Sequence, residues 1–119
     1  MNKNRKLIWE KSNGHCWYCG IKLGEKGWHI DHVEPVKRNL VTGEMSKPER
    51  DSNENKVPAC ASCNLNKHSL PLETWREVIK GYVTSLNRDS TQYKVAKRYG
   101  LIEEKPIEVR FWFEENMKH

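Results

Sequence analysis

The sequence predicts a small α+β domain, and three observations lead to that fold class. Two cysteine pairs, in the stretches CWYC and CASC, enclose a middle segment of forty residues. Within that segment, GWHIDHVEPV has the apolar and β-branched content of a strand. After Pro71, apolar residues recur at the three- and four-residue spacing of an amphipathic helix. Together these features predict short strands and separate helices in one chain.

The length and composition are those of a single globular domain, residues 1–119. Hydrophobic residues make up 36% of the 119 positions and charged residues 31%, so the chain can bury a modest core. No apolar run is long enough to cross a membrane, and the basic start MNKNRK is followed by only LIW, which argues against a secretory signal. We therefore expect a cytoplasmic protein with no membrane partner and with reduced thiols.

The first elements can be assigned in chain order. NRKLIWEKSNG predicts a short helix that ends before Gly14, and HCWYCG predicts a tight turn. The strand of GWHIDHVEPV ends at Pro35, and residues 34–54 predict a long surface loop because almost none of them is apolar. NKVPACASCNLNKH predicts a brief extended segment and then a helix that starts near Cys63 and ends by Pro71.

The chain after Pro71 predicts further helices and one strand. The residues that share one helix face are Leu72, Trp75, Val78, Ile79, Tyr82, Val83 and Leu86. TQYKVAKRYG predicts a shorter helix, and IEVRFWF alternates as a half-buried strand does. We expect these elements to form an extension of the same domain from about residue 71 to residue 119.

The charge of the chain suggests a polyanionic partner. The net charge is +5, and residues 1–28 hold six Lys or Arg against two Glu. Basic side chains that neutralise phosphates release counterions, which favours nucleic acid as the partner. Charge alone does not separate this interpretation from an ordinary solvated surface.

The strongest indication of chemistry is the set of four cysteines, Cys16, Cys19, Cys60 and Cys63. Two C-x-x-C pairs supply the ligands of a closed, tetrahedral structural zinc site, whose metal contributes to folding. Disulfides are the alternative, and a reducing cytoplasm disfavours them. A thioredoxin-like redox pair is disfavoured because neither motif follows a βαβ pattern. A closed zinc site has no open coordination position, so hydrolytic chemistry must lie elsewhere.

A family resemblance joins these motifs. HIDH, then Asn55 in NKVPAC, then CASCNLNKH stand in the order and spacing of the HNH endonucleases, and about residues 14–70 resemble the four-cysteine form of this ββα-metal family. Asn64 occupies the third position of the signature, which makes this the H-N-N variant. The resemblance implies a ββα-metal core braced by zinc, with the extension after Pro71 outside the shared motif.

The resemblance also implies a role for each site residue. His32 would be the general base that deprotonates water, and Asn55 would hold the long loop and so fix the strand that carries His32. Asp31 and Asn64 would bind one divalent cation at the scissile phosphate, with His68 as a candidate additional ligand. Imidazole titrates near neutral pH and so suits the base, and oxygen ligands favour magnesium or manganese.

The function predicted from these residues is metal-dependent hydrolysis of phosphodiester bonds in double-stranded DNA, in a bacterial or phage-infected cell. Lys67 and Lys56 are expected to contact phosphates. His29 shares the strand side of Asp31 and is expected to support it. Two other interpretations stay open: a non-catalytic, zinc-stabilised DNA-binding module, and a zinc domain for protein interaction. The resemblance does not choose between a phage and a restriction role, or between nicking and double-strand cleavage.

Overall fold

A computed structural model describes residues 1–117 of the chain. These residues form two compact units, of which the first contains residues 1–72 and the segment from Arg110 onwards, and the second contains Glu73–Val109. The C-terminal segment, which follows the second unit in the sequence, thus belongs to the first unit. No helix in this described part of the chain has the length and apolar content needed to cross a bilayer.

The elements confirm an α+β fold. They follow one another as α1 (Lys3–Glu10), β1 (His29–His32), β2 (Lys56–Ala59), α2 (Ala61–Lys67), α3 (Leu72–Lys80), α4 (Tyr82–Asp89), α5 (Thr91–Arg98) and α6 (Trp112–Asn116). The loop between the strands contains two 3₁₀ turns, Pro48–Arg50 and Asn53–Asn55. β1, β2 and α2 form the ββα core that the family resemblance implied.

The two strands form an antiparallel pair that places HIDH against KVPA. Asp31 is opposite Val57, and His32 is opposite Lys56 at the end of the ladder. Val57 and Ala59 are buried. Because directly opposite residues of an antiparallel pair point to the same side, Asp31 lies on the inner face of the sheet.

α2 begins earlier than expected because a cysteine caps it. The sequence predicted a start near Cys63, but the helix runs over Ala61–Lys67. Cys60 is the N-cap, and its sulfur accepts the backbone N–H of Cys63 at 3.3 Å. The helix ends at His68, whose φ of 52° lies in the left-handed region. The same residue that begins α2 therefore belongs to the cysteine cluster.

The second unit is mainly helical. The periodicity after Pro71 predicted one helix, whereas the structure divides this stretch into α3 and α4 at Gly81. Glycine is a poor helix former because it loses the most backbone entropy, so a break at this position is physically reasonable. α5 is the helix predicted over TQYKVAKRYG.

Glu104 connects the chain that follows α5 to α4 and α5. Its carboxylate accepts hydrogen bonds from Asn87 Nδ2 at 2.7 Å and from Tyr93 Oη at 2.8 Å, and it pairs with Lys97 Nζ at 3.0 Å. These contacts lower the pKa of Glu104 to about 2, with the hydrogen bond from Asn87 as the largest cause. The ionised carboxylate therefore holds this part of the second unit together.

The segment IEVRFWF does not form the predicted strand. It is irregular until α6 starts at Trp112. The backbone N–H of Trp112 donates to the carbonyl of Tyr18 at 2.8 Å, and that of Phe113 donates to the carbonyl of Trp17 at 3.0 Å. The rings of Trp17 and Phe113 stack with centroids 5.4 Å apart. The strand prediction was wrong because these aromatic residues pack on the CWYC turn instead of joining a sheet.

Candidate active site and metal centre

The four cysteine sulfurs meet at one place in the first unit. Their Sγ atoms lie within 4.8 Å of one another, and those of Cys19 and Cys60 are 3.8 Å apart. Sulfur ligands at about 2.3 Å from one tetrahedral ion would stand about 3.8 Å apart. Backbone N–H groups also point at the sulfurs, from Cys60 to Cys16 and from Cys63 to Cys60, both at 3.3 Å. All four are free cysteines, and the cluster fits a structural metal ion.

The closely spaced sulfurs of the cluster oppose ionisation of all four thiols together. A hydrogen bond from Cys63 lowers the pKa of Cys16 to about 4, and the same contact raises the pKa of Cys63. Burial raises the pKa of Cys19 to about 11. One thiolate thus suppresses the ionisation of its neighbours, and a divalent ion would favour the thiolate form of the ligands by offsetting two of the four negative charges. Because four protein ligands close such a site, the hydrolytic chemistry needs other residues.

Asp31 is a buried acid whose carboxylate is held on one side. It is 6% exposed, and its Oδ2 accepts from the Tyr18 hydroxyl at 2.5 Å and pairs with Lys67 Nζ at 3.2 Å. Burial, followed by the charge of Asp31, raises the pKa of Tyr18 far above its usual value. The phenol therefore stays protonated and donates a hydrogen bond to the Asp31 carboxylate. Both contacts use Oδ2, which leaves Oδ1 to face a further ligand.

Lys67 lies in the interior and not on a DNA-facing surface. Its side chain has 0% exposure, and Nζ donates to the carbonyl of His32 at 2.9 Å in addition to its contact with Asp31. An ammonium group without exposed surface cannot contact a phosphate, so the expected nucleic-acid contact is wrong for Lys67. Its charge compensates the buried carboxylate instead. Lys56, the other expected contact, is 21% exposed and pairs with Asp51 at 3.4 Å.

His32 is held by Asp51, an acid that the sequence did not single out. Its Nε2 is 2.8 Å from Asp51 Oδ1. This hydrogen bond is the largest cause that lowers the pKa of Asp51, and Lys56 adds to it. Asp51 is therefore ionised at neutral pH and can only accept a hydrogen bond. In the neutral imidazole, Nε2 then carries the proton and Nδ1 keeps the lone pair that can take a proton from water.

Asn64 contacts His29, which stands two residues before Asp31 on the same face of β1. Asn64 Nδ2 is 2.7 Å from His29 Nδ1. The amide nitrogen donates in this contact, so the amide oxygen stays free of it. The resemblance implied that Asp31 and Asn64 bind one cation, whereas in the structure Asn64 contacts His29 and Lys67 contacts Asp31.

Asn55 joins the two ends of the loop between the strands. Its Oδ1 accepts the N–H of Glu34 at 2.9 Å, and its Nδ2 donates to the carbonyls of Glu34 at 2.8 Å and Arg50 at 2.6 Å. The N–H of Val33 also donates to the carbonyl of Asn55, at 3.0 Å. These bonds restrain the chain directly after His32.

A cleft of about 220 Å³ contains several of the candidate side chains. Its lining residues are Asp31, His32, Pro35, Val36, Lys37, Arg38, Leu40, His68 and Ser69. Asp31 and His32 are neighbours and would point to opposite sides of a regular strand. His32 is the last residue of β1, and the chain turns after it, so both reach the cleft. The Nδ1 of His68 lies 3.0 Å from Ser69 Oγ. Asn64 is not among the lining residues.

Two side chains of this site were not predicted from the sequence, namely Tyr18 and Asp51. Tyr18 lies between the first two cysteines, where an aromatic residue suggests core packing. Asp51 is one of several charged residues in the long loop. Neither has a spacing signal that connects it to HIDH, because Tyr18 is 13 residues from Asp31 and Asp51 is 19 residues from His32.

Comparison with known proteins identifies relatives of the central segment. Residues 16–70 match the family described as HNH endonuclease. The "SPbeta prophage-derived putative HNH endonuclease YoqL" of Bacillus subtilis (strain 168) is 32% identical over 76 residues, which cover 56% of this chain and 30% of that protein. This chain thus spans less than a third of the length of that relative. Among solved structures, the type II-C Cas9 enzyme from Actinomyces naeslundii matches 80% of this chain and 10% of its own, at 21% identity and a TM-score of 0.49.

Proposed function

Residues 16–70 of this chain match the HNH endonuclease family, and from that premise we propose that the protein hydrolyses phosphodiester bonds in double-stranded DNA with a divalent cation. The observation that carries the proposal is the cleft that Asp31 and His32 line together. Each of these side chains has one polar atom bound to a partner and a second atom left for the reaction. Attack of a water molecule on a phosphate needs such groups side by side.

His32 is the general base in this proposal. Asp51 holds Nε2–H, so the Nδ1 lone pair takes the proton from the attacking water as the water oxygen bonds to phosphorus and the bond from phosphorus to the departing oxygen breaks. Lys67 donates to the His32 carbonyl and Asn55 ties the loop that follows, so the backbone on both sides of the imidazole is restrained. A positioned base of this kind contributes about 10²- to 10⁴-fold to a rate.

Asp31 and Asn64 are the proposed ligands of the catalytic cation. Tyr18 and Lys67 occupy Oδ2 of Asp31, and His29 occupies Nδ2 of Asn64, so each residue retains one oxygen for a hard ion. Two oxygen donors favour magnesium or manganese, which keep several waters. When bound, this ion would stabilise the charge on the phosphate and on the departing oxygen.

Zinc is the metal that we propose for the cysteine cluster, because four thiolates match its closed structural site. The two sites would then divide their tasks, with zinc holding the scaffold and magnesium or manganese serving the reaction. The prophage origin of YoqL favours a phage setting for this chain. The second candidate function is a zinc-stabilised DNA-binding module without catalysis, which the net charge of +5 would equally support.

The test is nicking of supercoiled plasmid by wild type, His32→Ala and a control variant. The control is Lys80→Ala, an exposed side chain of α3 outside the first unit. Reactions run with and without magnesium, and elemental analysis verifies that zinc is retained in every sample. We expect magnesium-dependent nicking by wild type and control, and a loss of at least about 100-fold in His32→Ala.

The possible results separate the two candidate functions. Equal nicking by wild type and His32→Ala rejects His32 as the base. DNA binding by all variants without cleavage in magnesium or manganese supports the non-catalytic module. His68→Ala is compared over a magnesium titration, in which a raised magnesium requirement supports His68 as a further ligand.

A further inference from the structure

Residues 36–47 of the long loop form a small hairpin beside the cleft, which we call the finger. Its two sides are joined by backbone pairing and by the bridge between Arg38 and Met45. The pairing hydrogen bonds run from Lys47 to Val36 at 3.0 Å, from Ser46 to Lys37 at 2.8 Å and from Asn39 to Glu44 at 2.7 Å. The finger is thus an ordered projection of a loop that the sequence described only as long and charged.

The tip of the finger displays two apolar side chains in a fixed turn. Asn39 Oδ1 accepts the N–H groups of Val41 at 2.8 Å and Thr42 at 2.9 Å, and Gly43 closes the turn with a φ of 75°. Leu40 and Val41, which lie between Asn39 and Gly43, are 102% and 94% exposed, respectively. These two adjacent apolar side chains are therefore fully available for contact with a partner.

The charges of the finger indicate what that partner is. Lys37, Arg38 and Lys47 flank the tip, and Glu44 is the one acid among residues 36–47. Cationic side chains around an apolar tip match a DNA groove, because phosphates border the groove and sugar and base edges form its floor.

The position of the finger connects it to the reaction. Lys37, Arg38 and Leu40 line the same cleft as Asp31 and His32. We propose that the finger enters a groove of duplex DNA next to the scissile phosphate, with its cations on flanking phosphates and Leu40 and Val41 against the groove floor. This inference rests on the proposed nuclease function and names the element that holds the duplex.

The test compares two finger variants with a matched control. The tip variant carries Leu40→Ser and Val41→Ser, and the stem variant carries Lys37→Gln and Arg38→Gln. Leu101→Ser is the control, because Leu101 is an apolar side chain of the second unit that is 80% exposed. Near-ultraviolet circular dichroism and thermal unfolding verify that each variant folds as wild type does.

Two substrates separate duplex binding from chemistry. One is a DNA duplex, and the other is bis(p-nitrophenyl) phosphate, which has no groove for the finger. We expect kcat/KM of the tip variant to fall at least about tenfold more on the duplex than on the small diester. The stem variant should reduce the slope of log affinity against log salt by about 2, since two phosphate contacts are removed. The control should match wild type on both substrates.

The experiments distinguish a failure of the finger proposal from a failure of the nuclease proposal. If wild type cleaves neither substrate, the nuclease proposal fails, and fluorescence anisotropy of duplex binding without magnesium still tests the finger. Duplex affinity of both finger variants within twofold of wild type overturns the finger proposal and indicates a protein partner for the tip. Equal losses on the duplex and on the small diester also overturn it, because they place the effect in the cleft itself.

Discussion

Lys67→Met removes the ammonium that compensates Asp31 and keeps the apolar body of the side chain. Lys67 Nζ and Asp31 Oδ2 are 3.2 Å apart, and the two side chains are 0% and 8% exposed. At that separation the Coulomb energy is about 5 kcal/mol for an effective dielectric constant of about 20. Tyr18 still donates to the carboxylate and offsets part of the loss. We therefore expect the free energy of unfolding to fall by about 3 to 5 kcal/mol.

The measurement is urea unfolding of the zinc-loaded protein, followed by tryptophan fluorescence and evaluated as a double-mutant cycle with Asp31→Asn. Each single change leaves one buried charge without its counter-charge, whereas the double change removes both charges. The coupling energy should therefore reach at least about 1.5 kcal/mol. Lys56→Met is the matched control, because Lys56 and its partner Asp51 are 21% and 36% exposed. Its effect should stay within about 0.5 kcal/mol.

A loss below about 1 kcal/mol in Lys67→Met, or a coupling energy near zero, would refute Lys67 as the buried counter-ion. The competing expectation from the sequence was a phosphate contact. A lysine with that role would leave urea unfolding unchanged and would reduce the salt dependence of DNA binding when replaced.

Three further predictions concern the base, the metal cluster and the second unit. Asp51→Asn should slow plasmid nicking at least about tenfold at an unchanged urea midpoint, because the amide no longer fixes the tautomer of His32. Asp51→Glu should recover part of the rate. Equal rates in Asp51→Asn and wild type would count against this role. Cys60→Ser should lose zinc in elemental analysis and lower the unfolding temperature, since Cys60 is a proposed ligand and serine can still cap α2. Full zinc retention would contradict this prediction. The pKa of Glu104 is lowered from 4.5 to about 2, so its stabilising effect is present above about pH 4.5 and is lost as the pH falls towards 2. Thermal unfolding of wild type and Glu104→Gln should therefore differ at pH 6 and converge at low pH, and a difference that persists at about pH 2 would be the contrary result.

Local spacing was enough to predict the scaffold. Two C-x-x-C pairs can bring four thiolates to one ion whatever the intervening chain does, because each pair spans a single turn. The strand of HIDH and the helix after CASC could be predicted for the same reason, since both depend on neighbours in sequence. The resemblance to HNH endonucleases rests on these local motifs, and the match over residues 16–70 agrees with it.

Contacts between distant segments could not be predicted in this way. Asp51 and His32 are 19 residues apart, and Lys67 and His32 are 35 residues apart. The loop between the strands contains several acids, and nothing in their spacing selects Asp51. The hydrogen bonds of Asn55 to Glu34 and Arg50 decide how this loop folds back and which acid meets the imidazole.

The amino-acid sequence by itself determined which four cysteines form the cluster, the order of strands and helix around it, and the resemblance of this segment to HNH endonucleases. Only the tertiary structure decided that Lys67 is buried against Asp31, that Asp51 holds His32, and that the aromatic C-terminal segment packs on the CWYC turn. The physical reason is that a residue's type and its spacing from near neighbours define what it can bind. Its burial and its partner depend on segments that meet only after the chain has folded.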